Sequence, residues 1–166
     1  GFYQSLFVTF KFTAVAVIAV VVISLAIALL IKERFVTSTL IKYALLLPYA
    51  IPGVVSAVIW NWIYDANFGV LSGVLFRLGF IDEYLSITSD PDLALWAIVF
   101  AYVWKFVPYS TFLFSAGLST ISSSVYEAAQ MDKSGALKTF FKITLPGIMP
   151  VLQLVLVIQT IFALVM

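Results

Sequence analysis

Side chains able to do chemistry are scarce in this sequence. It has no histidine and no cysteine, which removes the commonest transition-metal ligands, thiol nucleophiles and disulfides together. A serine nucleophile needs a base, and without histidine only a Ser–Lys pair is left. Lys105 and Ser110 stand five apart in one apolar run, a spacing that does not bring two side chains onto the same helix face. No G-x-x-x-x-G-K-S/T loop is present to cradle a nucleotide. The residue types therefore point away from catalysis, metals and cofactors, and toward binding or passage.

The polar residues inside apolar stretches are the candidates for passage. An ionisable group within a membrane span is a functional candidate by default, and Lys105 lies near the middle of one. Either it lines a solute path, or its ammonium binds the carbonyl of Trp104 or a neighbour, released because Pro108 has no N–H to give. Asn61, Gln153 and Gln159 are weaker candidates, because interhelical hydrogen bonds worth about 0.6 kcal/mol on average explain such residues without a solute. Lys11 is expected to snorkel to headgroups.

Composition says what must hold these residues. Of 166 residues, 63% are hydrophobic and 10% charged, and mean hydropathy is +1.13. A soluble domain carries about 45–50% apolar and about 25% charged residues, so the bilayer is the natural solvent. A net charge of +1 gives no case for nucleic acid. A helical span needs about 20 apolar residues. Stretches at about 5–31 (charge-free from Phe12 to Ile31), 43–64, 93–118 and 146–166 qualify, with Pro48 and Pro52 inside the second and Lys105 and Pro108 inside the third. The prolines are expected to kink their helices, tolerable in lipid only beside protein or a water-filled path.

Basic residues favour the cytoplasmic side. Lys32, Arg34 and Lys42 follow the first stretch, and Lys133, Lys138 and Lys142 follow the third. Between the second and third, Arg77 stands against Asp65, Asp82, Glu83, Asp90 and Asp92, so that connection and the start of the chain belong outside. Trp60, Trp62 and Tyr64 would form an aromatic belt at the outer interface. Val70, Leu71, Val74, Leu75 and Leu78, at helical spacing between Phe68 and Phe80, predict a short interfacial helix with its apolar face down. No secretory signal pattern is found; Gly1 is not an initiator and Met166 stops within an apolar run, so the chain is expected to be the middle of a longer polytopic protein.

The loop at 119–145 mixes charge with helix formers. Ser124 and Glu127 stand in the S-x-x-E relation of a capping box, predicting a helix from about Val125. Gly135 predicts a break, and a second helix is expected from Ala136 to Thr144, before Pro146. A helix–turn–helix at the inner membrane surface would offer a partner a small, rigid helix end.

The run Glu127-Ala128-Ala129, then Asp132, Phe140, Ile143, Leu145 and Pro146, resembles the EAA loop of ABC importer permeases. LLLPYAIPGVVSAVIWNWIYDANFGVL (Leu45 to Leu71), VWKFVPY (Val103 to Tyr109) and AGLSTISSSVYEAAQMD (Ala116 to Asp132) extend the resemblance over nearly the whole chain, toward the binding-protein-dependent sugar permeases of the maltose and glycerol-phosphate type. It implies an all-α polytopic bundle in a prokaryotic inner membrane and no catalysis by this chain. It also implies ATPase coupling through Glu127, Ala128, Ala129, Asp132 and Gly135. The implied partners are a second homologous permease subunit, two cytoplasmic ATPase subunits and an external solute-binding protein. Glu127 would accept a charge-assisted bond from a partner arginine, or would serve only the capping box. Two departures stand out. That family usually has glycine directly after the aspartate, where this chain has Lys133 and Ser134 before Gly135, predicting a turn shifted by two residues. It often has asparagine where Ser72 stands.

An ion-coupled secondary transporter is the alternative. Such proteins tend to show two-fold repeats and membrane carboxylates, and no acidic residue falls inside the four stretches. A saccharide, more readily neutral than anionic, is the expected cargo, since Lys105 alone could meet an anion.

Overall fold

The computed structural model describes residues 1–32, 46–83 and 87–165; Arg34, Lys42 and the start of the second stretch lie outside them. The described residues are helical, without strands. The chain divides into two units, Gly1–Leu46 with Val107–Met166, and Leu47–Phe106.

In the first unit, helix α1 (Phe2–Lys32) has 31 residues and is about 46 Å long at 1.5 Å per residue. That exceeds the roughly 30 Å of a hydrocarbon core. Nearly every position is apolar, so hydrophobicity does not say which face meets protein. Size does: the buried positions include Ala16, Val20, Ser24 and Ala28, four apart, forming a seam of small residues that lets another helix approach.

Helix α4 (Pro91–Ser119) contributes its last turns to this unit. The chain returns through α5 (Ser123–Met131), α6 (Ala136–Thr139), a π-helix (Phe140–Thr144), the short α7 (Leu145–Gly147) and α8 (Met149–Val165). Ala28, Phe114, Leu118, Ile148 and Val155 form its core. The run Ala136–Gly147 meets α8 at a bend of 69°. Pro150 explains where: it cannot donate to the Pro146 carbonyl, and its ring would collide with that carbonyl in a straight helix. The straight apolar helix thus begins at Met149, three residues after Pro146.

In the second unit, residues 47–50 are helical. Pro52 has φ −54° and ψ 144°, an extended conformation that ends the helix before α2 (Gly53–Ile63). The described part of the 43–64 stretch, residues 46–64, is therefore a broken helix, whereas α4 runs through Pro108 without interruption. Tyr64 Oη donates to the Ala97 carbonyl at 2.9 Å. Trp60 stacks near Tyr64 and meets Phe100 and Trp104 edge-on, all at 5.2–5.4 Å. Of the three expected belt aromatics only Trp62 is mainly exposed; the others turn inward because α4 offers rings and a carbonyl acceptor.

The expected interfacial helix is α3 (Val70–Arg77). Asp65 Oδ1 accepts from the N–H groups of Asn67 and Phe68 at 2.8 and 2.9 Å, and these bonds, Phe68 first, hold its carboxyl below the usual range. The turn brings the Asp65 carbonyl to 2.2 Å from where a Cβ on residue 69 would lie, so only glycine fits there. Val70, Leu71 and Val74 face a cavity of about 560 Å³ shared with Trp60, Ile63 and Tyr64. The apolar face thus covers the protein as well as any lipid.

Two helices of the first unit approach closely at Gly117, where a Cβ would fall 2.8 Å from Val151 Cγ2. Gly117→Ala should destabilise the protein by about 1–3 kcal/mol, and Val151→Ala in the same chain should recover most of it. Thermal unfolding of the four combinations in detergent measures this; no loss in the single variant would mean the helices do not approach so closely.

Candidate functional site

The 119–145 loop forms a helix–turn–helix, with a different start from the one its serines predict. The N-cap of α5 is Ser122, with φ −58° and ψ 139°, and no side-chain cap bond is made. Ser122 Oγ instead lies 2.8 Å from Ser124 Oγ. The capping box between Ser124 and Glu127 does not form, because Ser124 is already helical. Glu127 is left exposed, with no hydrogen bond or ion pair among the described residues. Ala128 is exposed beside it, while Ala129 is buried at 6% exposure. Asp132 is the C-cap of α5.

The turn after Asp132 is not displaced. The Lys133 N–H donates to Gln130 at 3.0 Å and the Ser134 N–H to Ala129 at 3.0 Å, the two bonds of a Schellman motif. Lys133 takes the left-handed conformation, φ 49°, directly after the aspartate, the position where the resemblance expects glycine. Gly79 makes the same closure after α3, with φ 74° and bonds from Gly79 to Phe76 and Phe80 to Leu75. Lys133 thus does at a steric cost what glycine does freely. Gly135 is only the N-cap of α6, with φ −65°, a conformation open to any residue.

The second helix is α-helical only to Thr139. From Phe140 it widens to a π-helix, in which the Leu145 N–H reaches the Phe140 carbonyl. Such wide turns accommodate an extra residue and are frequent at functional sites. On the inner side of the loop, the Tyr126 hydroxyl lies 3.1 Å from Thr144 Oγ1, and Lys32 Nζ sits 3.7 Å from the centre of the Tyr126 ring. Lys32 Nζ also donates to the Leu118 carbonyl at 3.4 Å. Sequence reasoning missed Tyr126, whose partners lie 18 and 94 positions away in the chain.

The passage candidates separate by environment. Lys105 Nζ donates to the Ile51 carbonyl and to Ser56 Oγ at 3.3 Å. It does bind a carbonyl beside a proline, but one at the Pro52 break rather than one on its own helix. Gln159 is fully buried, its Nε2 donating to Ser110 Oγ at 2.9 Å. Asn61 and Gln153 are exposed. Among the described residues no group of His, Cys, Asp and Glu could hold a metal.

Comparison with known proteins agrees with this architecture. The sequence profile of the family described as "binding-protein-dependent transport system inner membrane component" matches residues 20–165. The trehalose/maltose transport system permease protein MalF of Thermococcus litoralis is 36% identical over 98% of this chain and 55% of its own length. The sn-glycerol-3-phosphate transport system permease protein UgpA of Escherichia coli O157:H7 is 32% identical over 96% and 53%. The chain thus spans about half the length of these relatives. A chain in the crystal structure of a bacterial ABC transporter involved in import of the acidic polysaccharide alginate superposes with a TM-score of 0.81, at 21% identity, over 92% of this chain and 53% of that one.

Two predictions follow from the geometry. A left-handed non-glycine residue costs roughly 1–2 kcal/mol, and glycine gives back about 0.5–1 through its freer unfolded chain. Lys133→Gly should therefore stabilise the turn by about 0.5–1 kcal/mol, read as slower hydrogen exchange of the Ser134 amide; faster exchange would mean the turn closes otherwise. Lys105→Met leaves the Ile51 carbonyl without its donor and should cost about 1–3 kcal/mol of stability, read by thermal unfolding in detergent. Unchanged stability with altered solute passage would assign Lys105 to the path instead.

Proposed function

We propose that this chain, which belongs to the family of binding-protein-dependent transport system inner membrane components, forms half of the translocation path of an ATP-driven importer for a neutral saccharide and docks its ATPase through α5. The observation that carries this reading is Glu127: a carboxylate held outward on a short helix closed by a Schellman turn, with no partner of its own among the described residues. A protein with no use for Glu127 in its own fold has it free for a partner's arginine. The flanking Ala128 is small and exposed, which lets a partner surface come close.

The remaining parts follow from that role. The loop lies in the cytoplasm, and the acidic connection holding Asp65, Asp82 and Asp90 lies outside. Four membrane passages lie near 5–31, 43–64, 93–118 and 146–166. ATP hydrolysis falls to two cytoplasmic ATPase subunits, with a second homologous permease completing the path and an external binding protein delivering the solute. A saccharide is supported by the relative named for trehalose and maltose, the more similar of the two described. Charge supports a neutral one: Lys105 is the one charged residue central to the proposed passages, and the protein's own carbonyl occupies it. Gln159 and Ser110 bond to each other, so Asn61 and Gln153 remain the more available polar groups toward a path.

Purification of the full-length protein from its native membrane, with mass spectrometry of accompanying proteins, tests the docking role. Loss of a charge-assisted bond costs about 1.5–3 kcal/mol, so Glu127→Lys should deplete the ATPase subunit by about tenfold or more and leave the unfolding temperature unchanged. Ala129→Asp would confuse the result, because residue 129 is buried. Equal recovery of an ATPase with both proteins would remove Glu127 from the interface; an absence of any ATPase with the wild type would reject the importer reading.

A further inference from the structure

Docking a partner on α5 moves solute only if α5 is fastened to the membrane helices, and at nine residues it is too short to hold itself, since isolated helices below about 12–15 residues are marginal in water. The fastening is visible on its inner face. One side of Tyr126 takes the Lys32 ammonium at 3.7 Å from the ring centre, a cation–π contact. Lys32 is the last residue of α1, and the same ammonium donates to the Leu118 carbonyl in the last turn of α4 at 3.4 Å. A cation there answers both the open carbonyls and the negative end of the helix dipole. The other end of Tyr126, its hydroxyl, meets Thr144 Oγ1 at 3.1 Å. Thr144 is 4% exposed and is the last residue of the π-helix leading to α8.

We propose that Tyr126 is the positioning residue that makes the docking helix move as one body with the inner ends of α1, α4 and the segment before α8. The proposal rests on the docking role of α5. Two features of Tyr126 are used at once, the ring by Lys32 and the hydroxyl by Thr144, so phenylalanine keeps one fastening and leucine neither. Removing the ring contact frees α1, and removing the hydroxyl contact frees the π-helix. Neither change touches Glu127, which is exposed on the same helix.

These 166 residues contain no cysteine, so once any cysteines elsewhere in the transporter are replaced, spin labels can be placed singly. Leu30→Cys on α1 and Met131→Cys on α5 are exposed positions, suited to a distance measurement in the complete transporter, in lipid nanodiscs, with ADP and with a non-hydrolysable ATP analogue. The expected result is a distance that stays the same in both nucleotide states with Tyr126 present. With Tyr126→Leu it should shift by about 2 Å or more between states, while the ATPase subunits remain bound and the unfolding temperature stays near that of the labelled parent. Lys32→Met should reproduce the shift and Lys32→Arg should not, because arginine keeps the cation over the ring. Tyr126→Phe should leave the Leu30–Met131 distance constant and instead free a label pair between Met131 and Leu154. A distance that already changes with Tyr126 present, or one that stays constant in both Tyr126→Leu and Lys32→Met, overturns the proposal. Loss of the ATPase from the unsubstituted complex is a different failure: it rejects the docking role on which the proposal rests.

Discussion

Hydrocarbon offers no hydrogen bond, so any backbone carbonyl that a helix break or a helix end releases in a membrane protein has to be met by protein. Long side chains ending in several donors answer that demand here. Pro52 ends the helical run at 46–50, and Lys105 reaches across to the Ile51 carbonyl and Ser56. Where α4 ends, Lys32 reaches the Leu118 carbonyl. Lysine suits both tasks because its ammonium donates three bonds from a flexible four-carbon stem. The break at Pro52 thus has its donor in a lysine 54 positions away in sequence from the carbonyl it meets.

The same absence of water changes what directs packing. Lipid is as apolar as leucine, so burying another methyl group gains little, and close contact between backbones decides instead. Ala16, Val20, Ser24 and Ala28 make one face of α1 slimmer than the others, and Gly117 lets α4 reach Val151 on α8. Side-chain hydrogen bonds add to such contacts only where geometry is already close, as between Gln159 and Ser110. A polar residue in a span is thus as readily a sign of packing as of passage, and burial is what separates Gln159 from Gln153.

How far this could be read from the sequence depends on the length scale of each signal. The apolar runs at 5–31 and 93–118 are long and composition alone marks them; a missing N–H is a local fact, yet Pro52 breaks its helix while Pro108 leaves α4 continuous. The run at Glu127 is legible as a pattern, but the turn after it is not: glycine at 135 predicts a break two residues later than the one at Lys133. Details set by neighbours in space were not legible. Ser124 fits a cap by spacing, yet Ser122 takes the position, since where a helix begins depends on where the chain leaves α4. Lys133 stands in a left-handed conformation that propensity argues against, held by the Schellman bonds on either side. Trp60 and Tyr64 look like an outward belt until α4 supplies ring edges and a carbonyl. The partners of Tyr126 come from both ends of the chain, where no local rule reaches.

Under the proposed docking role, the four residues Tyr126 to Ala129 would let one short helix serve two surfaces. Successive residues on an α-helix point about 100° apart, so Tyr126, Glu127, Ala128 and Ala129 cannot all face one way. Tyr126 and Ala129, three apart, share the inner face, where one is tied to Lys32 and Thr144 and the other is buried. Glu127 and Ala128 share the outer face. Alanine at 129 keeps the helix close to its own protein, and alanine at 128 leaves room for another. A larger residue at either position would push one of the two surfaces away, and under the proposed docking role the transfer of motion from a partner to the membrane helices would depend on both contacts being short. The alternation of tied and free positions within four residues is what nine residues of helix need if they are to carry force without being stable on their own.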